Sequence, residues 1–456
     1  MRTGARWSIA ILAAIALLAV SAAGASARTG GRPAHGGRGG PGHHGGGGGD
    51  RGAGPGRGEN LFRQAGYSPR AVDAKIRAAW QQLFHGTPGT EPTRGDGQRI
   101  FYHLGPSMAY VEDIGNQDVR TEGMGYAMML AVQLGHRRAF DELWNFAYTK
   151  MEFHSGPQTD QFAWHTSTSG QQLSTGDAPD GDQWIAAALV FAGDRWGSGP
   201  GIDDYTAQAQ GILHAMWHEA DYGGVPIFST ASHDLPAFSP PGAVDFTDPS
   251  YGLPAFYRVF ASADPGDAAL WQQAVVASEG LLQDSHNPAN GLTADNTNFD
   301  GTPYTTPSDT ADSYDHTFQE DAWRVIANAN IDADWWGVQP WQTAYSNELE
   351  QFFAGRPGGV TGYVSRYHLD GTPVTNGQNT YEPAHAQGLV AMNSTSAITA
   401  TTPERLAFVR DLWNTAIPSG QARYYDGMLY FLGLLYDSGN FRDWQAAGHI
   451  GHAGRS

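Results

Sequence analysis

Six stretches of the chain are apolar on nearly every face of a helix, and a polar or acidic turn with an aromatic residue precedes or opens each one. Helices of this kind are typical of positions that are buried on all sides. The pattern therefore predicts six buried helices, which begin near Thr121, Asp180, Asp248, Glu320, His385 and Tyr424.

Amphipathic segments with charges on one face alternate with these buried stretches. They lie near 70–84, 138–151, 203–217, 267–283, 340–353 and 403–415. Successive pairs with short loops pack as antiparallel helical hairpins. Six hairpins close most simply into an all-α (α/α)6 toroid with six inner and six outer helices. All inner helices then begin at the same end, so their polar first turns converge on one concave rim.

The N-terminal region has a different composition from the rest of the chain. Residues 1–27 have two early arginines, an apolar run of about 12 residues and a small-residue cleavage site, which predicts a secretory signal peptide rather than a membrane anchor. Residues 28–58 are rich in Gly, His and Arg and predict a disordered linker. We expect a catalytic domain over 59–446, a flexible tail over 447–456, and a secreted protein without stable membrane insertion.

Composition narrows the range of partners. The formal charge of the chain is −19, and it becomes −25 without residues 1–58, which carry seven Arg and one Asp. Such a surface repels phosphate backbones, so we expect no nucleic-acid partner. The chain has no cysteine, which excludes disulfides and thiolate chemistry. Its 14 Trp, 19 Tyr and 20 Phe suit a neutral ligand with flat apolar faces, such as a sugar.

Three carboxylates open predicted inner helices: Glu122, Asp180 and Asp321. Any one of them alone is most simply a helix cap or a favourable charge at the helix dipole. On a shared rim, however, they repel one another, which raises at least one pKa. A protonated carboxylic acid that faces an ionised carboxylate can serve with it as the general acid and general base in hydrolysis of a glycosidic bond.

Three motifs resemble glycoside hydrolase family 8. They are APDGD at 178–182 followed by WIA, DVRTEGMGYAMM at 118–129, and DAWRV at 321–325. Pro179 stands where the family signature has a hydroxyl residue. Within the family the chain is most similar to the reducing-end xylose-releasing exo-oligoxylanases, through segments such as SYGLPAFYRVFA and SGQARYYDGMLYFLGLL.

The resemblance implies inverting hydrolysis of β-1,4-linked xylo-oligosaccharides with release of xylose from the reducing end. By resemblance, Glu122 is the general acid and Asp321 the general base. Asp180 positions the sugar in subsite −1, and Tyr251 positions the attacking water. Further sugar contacts are expected from Trp164, Tyr126, Trp184, Arg324, His385, Tyr424 and Asp426. The resemblance implies no metal and no cofactor, and we expect a monomer whose partner is a xylo-oligosaccharide or a related β-1,4-glycan.

Other functions on the same toroid stay open at this point. One is an endo-acting family 8 xylanase, endoglucanase or chitosanase, since a cationic chitosan would suit the negative charge. A second is a non-catalytic carbohydrate-binding toroid, in which Glu122 and Asp321 would have no use. A third is a polysaccharide lyase, which needs cationic residues for its uronate substrate and is disfavoured by the acidic rim.

Overall fold

Helices make up most of the structure, a computed structural model that describes residues 58–87, 96–374 and 385–445. The predicted signal peptide, nearly all of the linker, the loop 375–384 and the C-terminal tail lie outside these residues. The α-helices are α1 Leu61–Gln64, α2 Pro69–Trp80, α3 Thr121–Leu134, α4 Arg137–Phe146, α5 Pro179–Trp196, α6 Tyr205–His218, α7 Pro254–Ala263, α8 Ala268–Ser285, α9 Val325–Trp336, α10 Pro340–Ala354, α11 Gln387–Ser394, α12 Arg405–Asn414 and α13 Tyr425–Asp437.

Every second helix belongs to a closed inner ring. Helix α3 packs on α5, α5 on α7, α7 on α9, α9 on α11 and α11 on α13, and α13 returns to α3. The outer helices α4, α6, α8, α10 and α12 each pack on the inner helix that precedes or follows them, and α2 packs on α13. The predicted (α/α)6 toroid is therefore confirmed, with the inner and outer helices assigned as the hydrophobic pattern predicts.

Small residues let the inner helices approach closely where the site forms. A Cβ on Gly125 of α3 would lie 2.6 Å from the Cβ of Trp184 on α5. A Cβ on Gly181 of α5 would lie 2.3 Å from Oγ1 of Thr121 at the start of α3. Only glycine permits this approach, which brings the first turns of α3 and α5 side by side.

Three inner helices begin later than the hydrophobic pattern predicts. The third is preceded by a 3₁₀ turn, Pro249–Tyr251, and α7 begins only at Pro254, a residue suited to the first helical position. The fourth opens with a 3₁₀ turn, Glu320–Arg324, before α9. Helix α11 begins at Gln387 rather than near His385. These tighter turns place Asp248, Tyr251 and Asp321 ahead of the regular helices, at the rim of the ring.

Two short antiparallel sheets of two strands each accompany the helices. Strands β1 Phe101–His103 and β2 Ala109–Val111 pair with Phe101 opposite Val111. Strands β3 Asp118–Arg120 and β4 His165–Ser167 pair with Arg120 opposite His165. Because β3 runs directly into α3 and Trp164 immediately precedes β4, this second sheet holds Trp164 beside the first turn of α3.

Helix length and polarity also bear on membrane insertion. Within residues 58–87, 96–374 and 385–445, no helix combines the length and the apolar character that a membrane crossing requires.

Candidate active site

Carboxylates from four inner helices meet at one end of the ring. Glu122 lies in the first turn of α3 and Asp180 in the first turn of α5. Asp248 caps the 3₁₀ turn before α7 by accepting a hydrogen bond from the Ser250 N–H, 2.7 Å. Asp321 lies in the 3₁₀ turn before α9. Their position at helix starts explains why residues so far apart in sequence share one site.

The guanidinium of Arg324 bridges these carboxylates. Its Nη1 donates to Glu122 Oε1 at 2.9 Å and to Asp180 Oδ2 at 2.8 Å. Its Nη2 lies 2.9 Å from Asp321 Oδ1 and 3.6 Å from Asp248 Oδ2. Only 5% of the Arg324 side chain is exposed, so this cation is withdrawn from water. It supplies a buried positive charge among four acids.

Glu122 and Asp321 face one another across this guanidinium. Each offers an oxygen at 2.9 Å from one of its two terminal nitrogens. Because those nitrogens belong to one planar group, the two oxygens are no farther apart than about 8 Å. This limit is compatible with the separation of the acid and base carboxyl groups in an inverting glycosidase. The two predicted catalytic carboxylates therefore lie in one site.

The four carboxylates differ in their access to solvent. The exposed side-chain fraction is 27% for Asp321 and 15% for Glu122, but 5% for Asp180 and 0% for Asp248. Asp321 is thus the carboxylate that a water molecule in the cleft reaches most easily.

Burial sets the protonation of the acid side of the site. It raises the pKa of Glu122 from 4.5 to about 8; Arg324 opposes this rise, and the negative charges of Asp321 and Asp180 add to it. Burial likewise raises the pKa of Asp180, again opposed by Arg324. Burial, and then the charge of Asp321, holds the pKa of Asp248 well above its usual range. At neutral pH Glu122 therefore carries a proton.

Two adjacent tyrosines connect the last inner helix to both catalytic candidates. Tyr424 donates its hydroxyl to Glu122 Oε2, 3.0 Å, and Tyr425 donates to Asp321 Oδ1, 2.8 Å. Tyr424 is one of the predicted sugar contacts, and here its hydroxyl reaches the acid. Sequence reasoning missed Tyr425, although the YYD triplet at an inner-helix start was a signal for it.

Tyr251, the predicted water-positioning residue, lies beside the same group. Its ring is 5.9 Å from the Arg324 guanidinium and stacks on Phe238 at 5.8 Å. Burial raises the pKa of its hydroxyl well above the usual range, and the charges of Asp180, Asp248 and Asp321 add to this rise. The hydroxyl therefore stays protonated and can donate or accept a hydrogen bond.

Sequence reasoning also missed two supporting aspartates. Asp248 was recognised only as the start of an inner helix. Asp295 comes from a loop without periodicity, and its Oδ1 accepts a hydrogen bond from the Ala322 N–H at 3.1 Å. This bond fixes the backbone directly after Asp321, so Asp295 positions the predicted base.

Aromatic residues border the acids at different depths. Trp164 is partly exposed and lies 5.6 Å from the Arg120 guanidinium, while its carbonyl accepts from the Thr121 N–H at 3.0 Å. Tyr126 accepts a hydrogen bond from Arg324 at 2.6 Å and is 1% exposed. Trp184 is buried against Tyr126 and Phe256. Of the predicted aromatic contacts, Trp164 is thus the one with an accessible ring.

Two predicted sugar contacts lie apart from these interactions. His385 bonds to Asp411 Oδ2 at 2.9 Å through Nε2 and to the Tyr363 carbonyl at 3.0 Å through Nδ1. Asp426 is buried, and its Oδ1 accepts from the Gly388 N–H at 2.6 Å in the first turn of α11. The structure therefore does not bring Asp426 or His385 to the Arg324 group.

The three aspartates of the turn before α5 have separate environments. Asp180 reaches the rim, whereas Asp177 and Asp182 are completely buried. Burial raises the pKa of both well above the usual range, and for Asp182 the charge of Asp177 adds to the effect. These two carboxyls are thus held neutral behind the rim.

Comparison with known proteins identifies relatives along nearly the whole described region. The model of the family "Glycosyl hydrolases family 8" matches residues 109–439. The chain is 41% identical over 386 residues to the reducing-end xylose-releasing exo-oligoxylanase Rex8A of Paenibacillus barcinonensis, which covers 84% of this chain and 96% of Rex8A. It is 36% identical to the reducing end xylose-releasing exo-oligoxylanase of Halalkalibacterium halodurans, over 84% of this chain and 94% of that protein.

A solved structure agrees with these sequence comparisons. The structure of Rex8A in complex with xylose superimposes with a TM-score of 0.77 at 40% identity, and the match covers 85% of this chain and 98% of that one.

Proposed function

The chain belongs to glycosyl hydrolases family 8 and is therefore a glycoside hydrolase, and we propose that it releases xylose from the reducing end of xylo-oligosaccharides. The observation that carries the proposal is the placement of Glu122 and Asp321 on the two terminal nitrogens of Arg324. The relatives named above, both exo-oligoxylanases, favour this activity over an endo-acting one.

Glu122 serves as the general acid in this proposal. Its Oε1 accepts from Arg324, so the proton belongs on Oε2, the oxygen that the Tyr424 hydroxyl contacts. With its pKa raised to about 8, the carboxyl is protonated at neutral pH and can transfer that proton to the departing glycosidic oxygen. The Arg324 charge then stabilises the carboxylate that forms, because Nη1 is already in contact with it.

Asp321 serves as the general base. Its carboxylate is the most exposed of the four, and it is fixed by Arg324, by the Tyr425 hydroxyl and through the Asp295 bond to the neighbouring backbone. It removes a proton from a water molecule that Tyr251 orients toward the anomeric carbon. Attack from the face opposite the leaving group inverts the configuration, which requires room for that water between sugar and base.

Three of the predicted residues contact the sugar in this proposal. Asp180, held by Arg324 and by the Gly181 N–H at 2.8 Å, is placed to accept hydrogen bonds from hydroxyls of the −1 sugar. Trp164 offers an indole face to a neighbouring sugar ring. We also propose that His385, fixed by Asp411 and the Tyr363 carbonyl, limits the cleft beyond the released xylose.

Hydrolysis of xylotriose labelled with ¹⁸O at the reducing-end C1 tests the proposal. Cleavage next to the reducing end places the label in xylose and leaves the xylobiose unlabelled. Proton NMR should show the α-anomer of xylobiose first, since the cleaved bond is β and the reaction inverts. Label in xylobiose, or the β-anomer first, would contradict the proposed specificity or mechanism.

Variants and a polymer substrate complete this experiment. Glu122→Gln and Asp321→Asn should each lower kcat by about 10³-fold or more. Glu142→Gln is the matched control, because within the part of the chain that the structure describes Glu142 bonds to Arg138 and His103, which lie outside the site. The wild type should leave the viscosity of polymeric xylan nearly unchanged, whereas a rapid fall would identify an endo-acting enzyme.

We further propose that the protein is secreted after removal of residues 1–27. The charged start, the short apolar run and the small-residue site support this proposal. N-terminal sequencing of the protein recovered from culture medium tests it, and an intact Met1 on cell-bound protein would contradict it.

A further inference from the structure

Two histidines and an aspartate converge on the outer ring, away from the carboxylates of the active site. His214 and His218 lie one turn apart on α6, and their rings stack at 4.4 Å. Asp267 immediately precedes α8. Its Oδ2 is 2.9 Å from His218 Nε2 and 3.5 Å from His214 Nδ1. Among the described residues, this is the one group of three such side chains with its ligating atoms within 4.8 Å of one another.

From this convergence we propose that His214, His218 and Asp267 form a binding site for a divalent transition-metal ion of the zinc type. Histidines at i and i+4 present their rings on one helical face, which makes them a natural chelating pair. Imidazole nitrogens and a carboxylate oxygen are ligands that Zn²⁺ accepts, with three protein ligands and a fourth position for water.

The observed spacing suits such an ion. With metal–ligand distances of about 2.0–2.1 Å, ligating atoms on a tetrahedron lie about 3.3–3.4 Å apart. The two measured distances to Asp267 Oδ2, 2.9 and 3.5 Å, fall on either side of that value. Each histidine thus lies within a few tenths of an ångström of the separation from Asp267 that a shared metal ion requires, and the three ligating atoms all lie within 4.8 Å of one another.

The Asp267 carboxylate does not cap the helix that it precedes, α8. An aspartate at this position commonly caps the helix through its side chain, but the Asp267 side chain makes no capping bond to α8 and faces the histidines instead. The surroundings are also negative, because Asp160 and Asp264 lie close enough to His214 for their charges to interact with it. This field favours a cation over a mere histidine–carboxylate pair.

Metal binding would tie α6 to the segment that connects α7 with α8. These ligands come from two elements that lie next to each other only in the folded protein, so a bound ion would stabilise the native state. The site uses no residue of the hydrolytic mechanism, so it is independent of the proposed function.

Zn²⁺ binding to the full-length, EDTA-treated protein tests the proposal. Calorimetric titration should give a wild-type Kd in the micromolar range or tighter, and saturating Zn²⁺ should raise Tm by about 2–5 °C. His214→Ala and His218→Ala should each weaken binding at least about tenfold and abolish the Tm shift. Ca²⁺, which prefers oxygen ligands, should not replace Zn²⁺.

The controls separate this site from other histidines. His103→Ala removes a histidine that pairs with Glu142 at 3.2 Å but has no second histidine beside it, so it should leave the Tm shift unchanged. The histidines of residues 28–58 are present in every variant and cancel in the comparison. Asp267→Asn gives a second ligand deletion of nearly the same shape, and xylotriose hydrolysis in EDTA reports that each variant is folded. An absent wild-type shift, or the same shift in the His214 and His218 variants, would overturn the proposal.

Discussion

Raising the pH through the ionisation of Glu122 should switch off the proposed acid catalyst. Burial moves the pKa of this carboxyl from 4.5 to about 8. At 1.36 kcal/mol for each pKa unit, the folded site disfavours the ionised form by roughly 5 kcal/mol relative to water. About nine tenths of the molecules should therefore hold the proton at about pH 7.

This protonation predicts the alkaline side of the activity profile. The value of kcat/KM for xylotriose should be nearly constant up to about pH 7, fall to half at about pH 8, and approach a loss of about tenfold for each further pH unit. Initial rates of xylose release at substrate concentrations below KM, measured from about pH 6 to about pH 10, provide the profile.

Tyr424→Phe tests the direction in which a hydrogen bond to Glu122 shifts the pKa of this carboxyl. The substitution removes the hydroxyl that donates to Glu122 Oε2 and so withdraws a hydrogen bond from the ionised form. The alkaline limb should then move to higher pH. An alkaline limb at about pH 5 in the wild type, or a Tyr424→Phe limb at lower pH, would refute the assignment of Glu122 as a buried, protonated acid.

Four further predictions follow from the geometry. Arg324→Lys keeps the positive charge but loses the planar guanidinium with its two terminal nitrogens, so kcat should fall at least about 100-fold while the circular dichroism spectrum stays unchanged. A kcat near that of the wild type would contradict this prediction. Asp180→Asn should lower kcat about 100-fold and alter KM only a few-fold in steady-state kinetics. A large rise in KM with little change in kcat would indicate a role in substrate binding instead. Gly181→Ala, whose Cβ would lie 2.3 Å from Oγ1 of a neighbouring threonine, should cost about 1–3 kcal/mol in urea unfolding, whereas Gly280→Ala in open space should not. Burial raises the pKa of Asp437 to about 8, so the stability that its protonated form contributes is complete below the pKa of the unfolded chain and is lost as the pH rises through about 8. The Tm measured by calorimetry should therefore fall between these two pKa values, and it should fall less in Asp437→Asn.

The hydrophobic pattern was sufficient for the ring, because buried helices are apolar on all faces and can be recognised without knowledge of their neighbours. The first turns of α3 and α5 lie where that pattern places them, and Glu122 and Asp180 follow from it. The 3₁₀ turns before α7 and α9 could not be read in the same way, since they depend on local backbone geometry at Gly252 and Arg324 rather than on periodicity.

The partners of the acids were largely hidden from the sequence. Arg324 was predicted to touch sugar, yet its observed hydrogen bonds go to carboxylates and to the Tyr126 hydroxyl, from residues up to 202 positions away in the chain. Tyr425 has only the YYD triplet at an inner-helix start as a signal, and Asp295 has no local signal, because the importance of both comes from the proximity of Asp321 and its neighbouring backbone. Long-range contacts of this kind follow from ring closure, which sequence spacing alone does not measure.

The contact between α13 and α3 joins one of the last helices to one of the first. Through the Tyr424 hydroxyl, Glu122, the proposed acid, acquires a partner that becomes available only after α13 has joined the ring. A nascent or truncated chain that lacks this last inner segment would hold an incomplete centre. In the proposed mechanism, hydrolysis therefore depends on closure of the complete inner ring rather than on any one helical hairpin.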